Sequence, residues 1–393
     1  MAVIGGGYTG LSAARVLARD GADVTVLERE TIGWGASSRN GGFVLTGFKP
    51  DVELLARRYG VAEARRLYAL SVEAVESLEG IIAAEAIACD YARCGTVVLA
   101  AKPGHLVGLE RSRKFLHREL GYETTLLSPA ELRTEIGSTR YAGGLLDTLA
   151  GAVQPARLVE ELARAAERAG ARLVEHAEVR ETRQARGEWT IATSVGPIRA
   201  GAVLVATNGY TGPAVPGLRR RVVPVRSYLI ATAPLPREQA DRLIPRGREL
   251  SDTKNLLYYF RRSPDDRLVF GGRAAFAPTP VAQSAVILAR GMVEVFPELA
   301  GAPVEYAWGG QVAFTLDQMP HAGCLKGLYY ALGYGGHGVA LATWLGARMG
   351  HAIAGRAPLP HLTGSFPPIP FYEGRPWFLP LVGGYYRVRD WFE

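Results

Sequence analysis

The chain has 393 residues, 48% of them hydrophobic and 21% charged, which is typical of a globular protein large enough for two packed domains. Its formal net charge is +7, but the basic residues are scattered rather than gathered in the stripe that nucleic acid binding needs. No apolar run approaches the ~18 residues of a membrane-spanning helix. We therefore expect no nucleic acid partner and no membrane span.

Cysteine usage indicates a reducing compartment. Cys89, Cys94 and Cys324 are too few and odd in number for a disulfide scaffold. Cys89 and Cys94 have no second cysteine pair and no histidine cluster to complete a metal site, so we predict no bound metal. Because the first residues already form a predicted strand, we expect no secretory signal and a cytoplasmic location.

The N-terminal segment predicts a strand, a helix and a second strand around a glycine fingerprint. An apolar strand precedes Gly5-x-Gly7-x-x-Gly10, and an apolar helix then leads to a strand over 24–27 that ends before Glu28. The first glycine permits a tight turn, the second lets the backbone approach a pyrophosphate, and the third lets helix and strand pack closely. Amides at the helix N-terminus attract phosphates, and Glu28 would accept hydrogen bonds from a ribose. The fingerprint alone leaves both FAD and NAD open.

A small, polar, glycine-dense segment over 33–42 follows the second strand. One interpretation is a surface loop. The other is a loop packed against an extended ligand, because only small residues let the backbone come so close. In that case the polar side chains of the segment would bind phosphate and sugar groups; they are Ser37, Ser38, Arg39 and Asn40.

The rest of the chain alternates between helical and strand patterns. The predicted elements are a helix over 51–88, a strand over 95–100, helices over 105–120 and 129–136, short strands in 143–154, a helix from 155 and a strand over 172–175, a hairpin over 189–200, a strand over 202–206, strands over 222–232, 255–260 and 267–273, a helix over 281–296, strands over 304–308 and 328–332, and a helix over 339–354. The tail over 359–393 shows neither periodicity, and its aromatic residues predict docking on a surface.

This order predicts an α/β fold in which a Rossmann-like nucleotide-binding domain is interleaved with an α+β domain built on an antiparallel sheet. We assign residues 1–88, 143–215 and 309–362 to the nucleotide-binding domain. Residues 89–142 and 216–308 form the second domain, which we expect to bind the substrate, and 363–393 form the docked tail.

The ordered motifs resemble the FAD-dependent D-amino acid oxidase family. They are the fingerprint with Glu28, the 35–42 loop, Ala206-Thr207-Asn208-Gly209 and Gly335-Gly336-His337-Gly338. Further segments are similar to the γ-glutamylputrescine oxidase-like amine oxidoreductases of that family. They are Tyr258-Tyr259-Phe260-Arg261, the stretch 267–273, Trp308-Gly309-Gly310 and the stretch 376–380.

The resemblance implies bound FAD and oxidation of a carbon–nitrogen bond in a small amine or amino acid derivative. The substrate gives a hydride to flavin N5, the imine hydrolyses, and oxygen or another acceptor takes the electrons. The alternatives are an oxidase of glycine, sarcosine or D-amino acids, a flavoprotein without amine turnover, or an NAD-dependent dehydrogenase. The oligomeric state stays open.

We assign to the cofactor the residues that match the family motifs, together with neighbours in the same segments. They are Gly5, Gly7, Tyr8, Thr9, Gly10, Glu28, Arg29, Gly35, Ala36, Ser37, Ser38, Arg39, Asn40, Gly41, Gly42, Val179, Thr207, Asn208, Gly209, Trp308, Gly309, Gly333, Gly335, Gly336, His337, Gly338 and Val339.

Reduced flavin is negative near N1, so a helix N-terminus beyond the glycines of 333–338 would stabilise it. His337 is the leading catalytic candidate there, and an ordinary strand–helix turn is the alternative. Tyr258 and Tyr259 lie on a predicted strand, where alternation sends one toward the flavin and one away. Arg273 would pair with a substrate carboxylate, and Lys254 would provide polarity near the site or transfer a proton. For each of them, an ordinary surface side chain is the alternative interpretation.

Three departures from relatives refine the expectation. Gln311 and Val312 stand in the segment where α-amino acid oxidases carry an arginine, which disfavours a simple D-amino acid. Gly310 stands where covalent relatives carry a cysteine, so non-covalent FAD is predicted. The strand that bears an oxygen-activating lysine in sarcosine-oxidising relatives is Leu268-Val269-Phe270 here, which leaves oxygen as acceptor open.

Overall fold

The computed structural model describes residues 1–272 and 279–392, and they form a mixed α/β architecture. The strands are β1 (Ala2–Ile4), β2 (Thr25–Leu27), β3 (Phe43–Val44), β4 (Thr96–Leu99), β5 (Thr125–Leu127), β6 (Gly144–Asp147), β7 (Gly151–Ala152), β8 (Arg172–Val174), β9 (Val179–Ala185), β10 (Glu188–Thr193), β11 (Gly196–Ala200), β12 (Val203–Val205), β13 (Val223–Thr232), β14 (Glu249–Asp252), β15 (Tyr258–Arg262), β16 (Leu268–Gly272), β17 (Val304–Phe314), β18 (His321–Leu325) and β19 (Leu328–Leu332).

The α-helices are α1 (Tyr8–Arg19), α2 (Ala36–Arg39), α3 (Val52–Tyr59), α4 (Val61–Glu85), α5 (Pro103–Phe115), α6 (Pro129–Leu132), α7 (Pro155–Arg168), α8 (Pro216–Arg219), α9 (Arg237–Leu243), α10 (Val281–Val295), α11 (Gly338–Ile353) and α12 (Leu379–Phe392). A π-helical turn, Leu116–Leu120, continues α5. Within the described ranges, none of these helices is long and apolar enough to cross a bilayer.

A six-stranded sheet in the order β18-β19-β12-β1-β2-β8 carries the nucleotide fingerprint. It is parallel except for β18, which pairs antiparallel with β19. Its central strands are buried on both faces, as parallel sheets usually are. Val3 packs among the helices α1, α7 and α11, whereas Ala2 and Ile4 pack with Trp189 and Ile191 of the three-stranded sheet β11-β10-β9. The sheet therefore lies between a helical layer and a small antiparallel layer.

The helical layer depends on two glycines at close backbone contacts. A Cβ added at Gly10 would lie 2.0 Å from the carbonyl oxygen of Gly5, and one at Gly346 would lie 2.3 Å from that of Thr9. The α1–α11 contact is also joined by a hydrogen bond from Ser12 Oγ to the Thr343 carbonyl, at 2.7 Å. No side chain larger than hydrogen fits at either glycine without moving backbone.

The second large sheet has eight strands in the order β17-β13-β16-β15-β14-β4-β6-β5. Every pairing in it is antiparallel except β14–β4. One face packs on α10, where Tyr228, Phe260 and Phe270 meet Leu288 and Met292. The opposite face, here called the inner face, meets the end of the glycine-dense segment: a Cβ added at Gly41 would lie 3.0 Å from Tyr259, and one added at Gly42 would lie 3.0 Å from Arg261.

The predicted fold class is confirmed: a parallel nucleotide-binding sheet and an antiparallel sheet coexist in one mixed α/β chain. The domain boundaries stay predictions. Strand β17 runs without interruption across the predicted boundary between 308 and 309.

The tail differs from expectation, because its end forms a helix, α12. Pro380, Gly383 and Gly384 lower its helix propensity, which hides the pattern in the sequence. The helix is anchored mainly by a polar contact: the Asp390 carboxylate accepts hydrogen bonds from the Asn255 amide, the Asn255 side chain and the Leu256 amide at 2.8–3.0 Å. The predicted elements also lack the strands β3, β5, β9, β14 and β18.

Replacing Gly346 by alanine is expected to destabilise the protein by about 1–3 kcal/mol, because the new methyl group overlaps the Thr9 carbonyl. Gly80→Ala is the matched control, since Gly80 also lies in a helix and has nothing within 4 Å of an added Cβ. That variant is expected to gain up to about 1 kcal/mol from helix propensity. Denaturant unfolding measures both, and equal stabilities of the two variants would contradict the packing argument.

Candidate active site

A cavity of about 340 Å³ lies at the carboxyl edge of the six-stranded sheet, where open α/β sheets bind ligands. Many predicted cofactor residues line it: Gly5, Gly7, Tyr8, Thr9, Glu28, Arg29, Gly35, Ala36, Ser37, Asn40, Val179, Thr207, Asn208, Gly336, Gly338 and Val339. The structure thus brings the separate sequence motifs to one surface.

Glu28 is oriented by the turn that precedes α1. Its Oε2 accepts a hydrogen bond from the Gly6 amide at 2.8 Å, and its Oε1 accepts one from the Glu30 amide at 3.0 Å. Gly5 has a φ of 108°, which favours glycine in this turn. A carboxylate held in this way at the end of β2 keeps further lone pairs for the two hydroxyl groups of a ribose.

The N-terminus of α1 suits a phosphate group. Its N-cap residue is Gly7, without a side-chain cap, and its first turn contains no acidic residue. The Tyr8 amide donates to Ser37 Oγ at 3.0 Å, so the serine already marks an acceptor position at the helix end. A pyrophosphate oxygen fits the same donors, and the helix dipole favours its negative charge.

Direct hydrogen bonds join the motifs to one another. Thr9 Oγ1 and Tyr334 Oη are 2.7 Å apart, which ties the start of α1 to the turn before α11. Asn208 Oδ1 accepts from the Gly333 amide at 3.0 Å, which ties the carboxyl end of β12 to the same turn. These hydrogen bonds hold the three segments of the cavity wall together.

Other predicted cofactor residues support the wall from behind. Arg39 donates from Nε to the Trp34 carbonyl at 2.7 Å and from Nη1 to the Gly309 carbonyl at 3.3 Å, and its guanidinium stacks 4.3 Å from the Trp34 ring centre. Trp308 Nε1 donates to the Arg39 carbonyl at 3.1 Å. These bonds connect the loop to β17. The predicted residues outside the cavity lining are Gly10, Ser38, Arg39, Gly41, Gly42, Gly209, Trp308, Gly309, Gly333, Gly335 and His337.

Sequence reasoning missed part of the lining. Trp34, Tyr210 and Tyr334 each adjoin a motif that was recognised, so their neighbours were the available signal. The stretches 178–180 and 212–215 also contribute, and only Val179 among them was assigned. The others carry no local pattern, because strand β9 and the 212–215 loop reach the cavity only through tertiary packing.

His337 is the N-cap residue of α11, and its side chain is half-buried. Its Nδ1 is enclosed and has no hydrogen-bond partner among residues 1–272 and 279–392. Burial of the imidazole away from water lowers the pKa of His337, and the positive charge of Lys49 lowers it further, to about 3. The imidazole is therefore neutral at physiological pH.

Lys49 is a site residue that the sequence analysis did not identify. A Cβ added at Gly335, whose φ is 60°, would lie 3.0 Å from the Lys49 Cβ, so the lysine stem packs on the turn before α11. The β3 strand and the segment after it bring Lys49 there, and no sequence motif marks that approach.

The two predicted tyrosines lie on opposite faces of β15. Tyr259 faces the glycine loop: its hydroxyl is 3.0 Å from Ser227 Oγ, and a Cβ added at Gly41 would lie 3.0 Å from its ring. Its ring covers Gly271, where an added Cβ would lie 2.3 Å away. Tyr258 faces the other way, toward Phe270 and α10.

Lys254 belongs to the Tyr258 side of the sheet. Its Nζ lies 3.6 Å from the Tyr258 ring centre and 3.2 Å from Asp252 Oδ2. Burial raises the pKa of Asp252 to about 6, against the lowering effect of Lys254. Of the five catalytic candidates, the structure brings Tyr259 and His337 toward the cofactor segments. It places Tyr258 and Lys254 away from them, and Arg273 lies outside the described residues.

The fold and this site define an FAD-dependent oxidoreductase, and the chain belongs to that family: its model, described as DAO, FAD dependent oxidoreductase, matches residues 1–352. The chain is 34% identical over 393 residues to gamma-glutamylputrescine oxidoreductase of Escherichia coli, covering 99% of this chain and 92% of the relative. It is 34% identical over 360 residues to probable oxidoreductase OrdL of Haemophilus influenzae, covering 90% and 82%.

Solved structures agree on the fold. Glycine oxidase from Bacillus cereus superposes with a TM-score of 0.74 at 20% identity, covering 91% of this chain and 95% of that one. The predicted family and enzyme class are confirmed by the family model and by the sequence relatives. The individual roles of the site residues stay predictions.

His337 is expected to stay unprotonated in the folded protein from pH 7 down to about pH 4. Its pKa is lowered on folding, so the unfolded chain binds the proton more readily, and the stability that this group contributes is lost as pH falls below about 6.5. Imidazole NMR signals, assigned by comparison with His337→Asn, measure the titration.

Lys49→Met should raise the pKa of His337, because it removes the neighbouring positive charge. Lys326→Met is the control, since Lys326 lies in the turn between β18 and β19 and is not among the groups that affect His337. An imidazole that titrates near 6.5 in the folded wild type would overturn this assignment.

Proposed function

We propose that the chain holds FAD non-covalently in the cavity and oxidises a carbon–nitrogen bond of an amine that carries a γ-glutamyl-like group. The observation that carries the proposal is the convergence of the fingerprint turn, the oriented Glu28 carboxylate and the 333–338 turn on one cavity. Bound FAD would supply the hydride acceptor, and the protein supplies binding, orientation and charge.

The 333–338 turn supports stabilisation of the reduced cofactor. The amides that begin α11 have no acidic side chain in the first turn, and the neighbouring Lys49 adds positive charge. His337 stays neutral, so its ring is able to donate one hydrogen bond and accept another without adding a charge. Together these groups favour negative charge at this end of the cavity.

Two observations support non-covalent attachment of the flavin: Gly310 of β17 has no side chain, and the three cysteines lie away from the cavity. Gly310 has no side chain to link, and an added Cβ would lie 3.3 Å from the Arg39 Cβ. Cys89 is buried, Cys94 is half-buried and Cys324 is exposed on β18, and none of them lines the cavity. The cofactor is therefore held by shape, hydrogen bonds and charge.

A sequence relative and the inner face of the eight-stranded sheet support a preference for an amine with a γ-glutamyl-like group. The 34% identity to a gamma-glutamylputrescine oxidoreductase extends over 99% of the chain. The segment that would bind an α-carboxylate in amino acid oxidases contains Gln311 and Val312, with no cation. Tyr259, hydrogen-bonded to Ser227, is the aromatic group placed at the glycine loop, where it would orient the reacting end of the amine.

Purified protein is expected to be yellow, with flavin absorbance, and acid precipitation should release all of the flavin into the supernatant. The reason is that no cysteine lies at the cavity to form a covalent link. Flavin retained in the acid pellet would contradict non-covalent attachment. Colourless protein that takes up NAD instead would contradict the cofactor itself.

Tyr259→Phe should lower kcat/KM for a γ-glutamyl amine about tenfold, since a hydroxyl that orients the amine is lost. Tyr258→Phe removes the same hydroxyl from the opposite face of the strand and is expected to change kcat/KM much less. Anaerobic reduction of the bound flavin by γ-glutamylputrescine, glycine and sarcosine provides the rates. Reduction by glycine or sarcosine alone would overturn the substrate class, and reduction by none would overturn amine oxidation.

A further inference from the structure

A buried cation without a counter-ion lies on the inner face of the eight-stranded sheet. Arg261 is 8% exposed and shares that face of β15 with Tyr259. Its Nη2 donates to the Val153 carbonyl at 3.0 Å, but its Nε has no partner, and no carboxylate lies within 4 Å in the described ranges. A guanidinium keeps its charge in proteins, so this site holds an uncompensated positive charge.

One carboxyl group, that of Glu249, faces this charge from the neighbouring strand. The register of β14 on β15 pairs Leu250 with Phe260, which puts Glu249 directly across from Arg261 on the same face. Glu249 is fully buried, and neither of its carboxyl oxygens has a hydrogen-bond partner among the described residues. Burial raises the pKa of Glu249 well above that of a free carboxyl group, against the lowering effect of the positive charge of Arg261. Burial therefore favours the uncharged form of this carboxyl group.

Arg261 contacts the glycine loop at Gly42, and neither residue lines the cavity. A Cβ added at Gly42 would lie 3.0 Å from Arg261 Nη2 and 2.2 Å from the Val153 carbonyl oxygen. The Gly42 amide donates to Asn40 Oδ1 at 2.8 Å, and Asn40 lines the cavity. Gly42 thus connects Arg261 to Asn40, a residue of the cavity wall.

The charge also reaches the lining electrostatically. Tyr8 lines the cavity, and the positive charge of Arg261 acts to lower the pKa of its phenol, although burial raises it overall. In a protein interior such charges act over longer distances than in water, because solvent screening is weak. An uncompensated cation is most useful near a group that gains negative charge during a reaction.

We propose that Arg261 is a positioning residue that holds the Gly42 turn, and that its fixed positive charge raises the reduction potential of the bound flavin. The inference rests on FAD binding as proposed above. Reduction adds negative charge to the flavin, and a fixed buried cation beside the loop favours that state over the oxidised one. Reduced flavin would supply a negative charge to balance that of Arg261.

The test compares the midpoint potential of bound FAD, from dye-equilibrated reductive titration, in wild type, Arg261→Met, Arg261→Lys and Glu249→Gln. Arg261→Met should give a more negative potential, and Arg261→Lys, which keeps the charge, should lie closer to wild type. Glu249→Gln should leave the potential unchanged, because glutamine matches a protonated carboxyl group in shape and charge. A purely structural role predicts equal shifts for methionine and lysine.

The other possible results also support or overturn the proposed role of the Arg261 charge. An unchanged potential in Arg261→Met with full FAD content would overturn the inference. A more positive potential in Glu249→Gln would also overturn it, because that result would reveal an ionised Glu249 beside Arg261. If Arg261→Met loses FAD while Arg261→Lys retains it, charge beside the loop is supported. Loss from both variants contradicts it. A wild type that binds no FAD refutes the proposed function, which separates that failure from this one.

Discussion

The close approach of three backbone segments is the constraint on which the site depends. Helix α1 begins directly against the turn at Gly5, and α11 crosses α1 where Gly346 meets the Thr9 carbonyl. Side chains at Gly10 or Gly346 would separate these segments. Because the contacts are made, amides of α1, the Glu28 carboxylate and the turn before α11 reach a common cavity. Dinucleotide binding is thus a consequence of helix packing as much as of the fingerprint itself.

Strand alternation organises the other half of the molecule. On β15, Phe260 enters the core with α10, while Tyr259 and Arg261 face the glycine loop. The same alternation puts Glu249 of β14 opposite Arg261. One face of the sheet is therefore an ordinary apolar core, and the other carries hydroxyl, guanidinium and carboxyl groups. Part of this polar face is hydrogen-bonded, as Tyr259 is to Ser227 and Arg261 to the Val153 carbonyl, whereas the Glu249 carboxyl group has no partner among the described residues.

Membership of the FAD-dependent oxidoreductase family agrees with these features, and the departures from it concern the substrate side. The nucleotide-binding elements match the family motifs closely. The segment with Gly310 and Gln311 lacks both the thiol of covalent relatives and the cation of amino acid oxidases. Lys49 instead brings a positive charge from a different segment to the turn before α11.

The sequence by itself determined the elements whose signals are local. Strand β19 was predicted over 328–332, as it is found, and the glycine spacing with Glu28 identified the nucleotide-binding unit, because turns, caps and periodicity are encoded within a few residues. Tertiary structure alone decided that Tyr259, and not Tyr258, faces the glycine loop, that Arg39 ties the loop to β17, and that Lys49 adjoins His337. Such relations depend on which face of a strand is covered and on contacts between distant segments, and neither leaves a pattern in neighbouring residues.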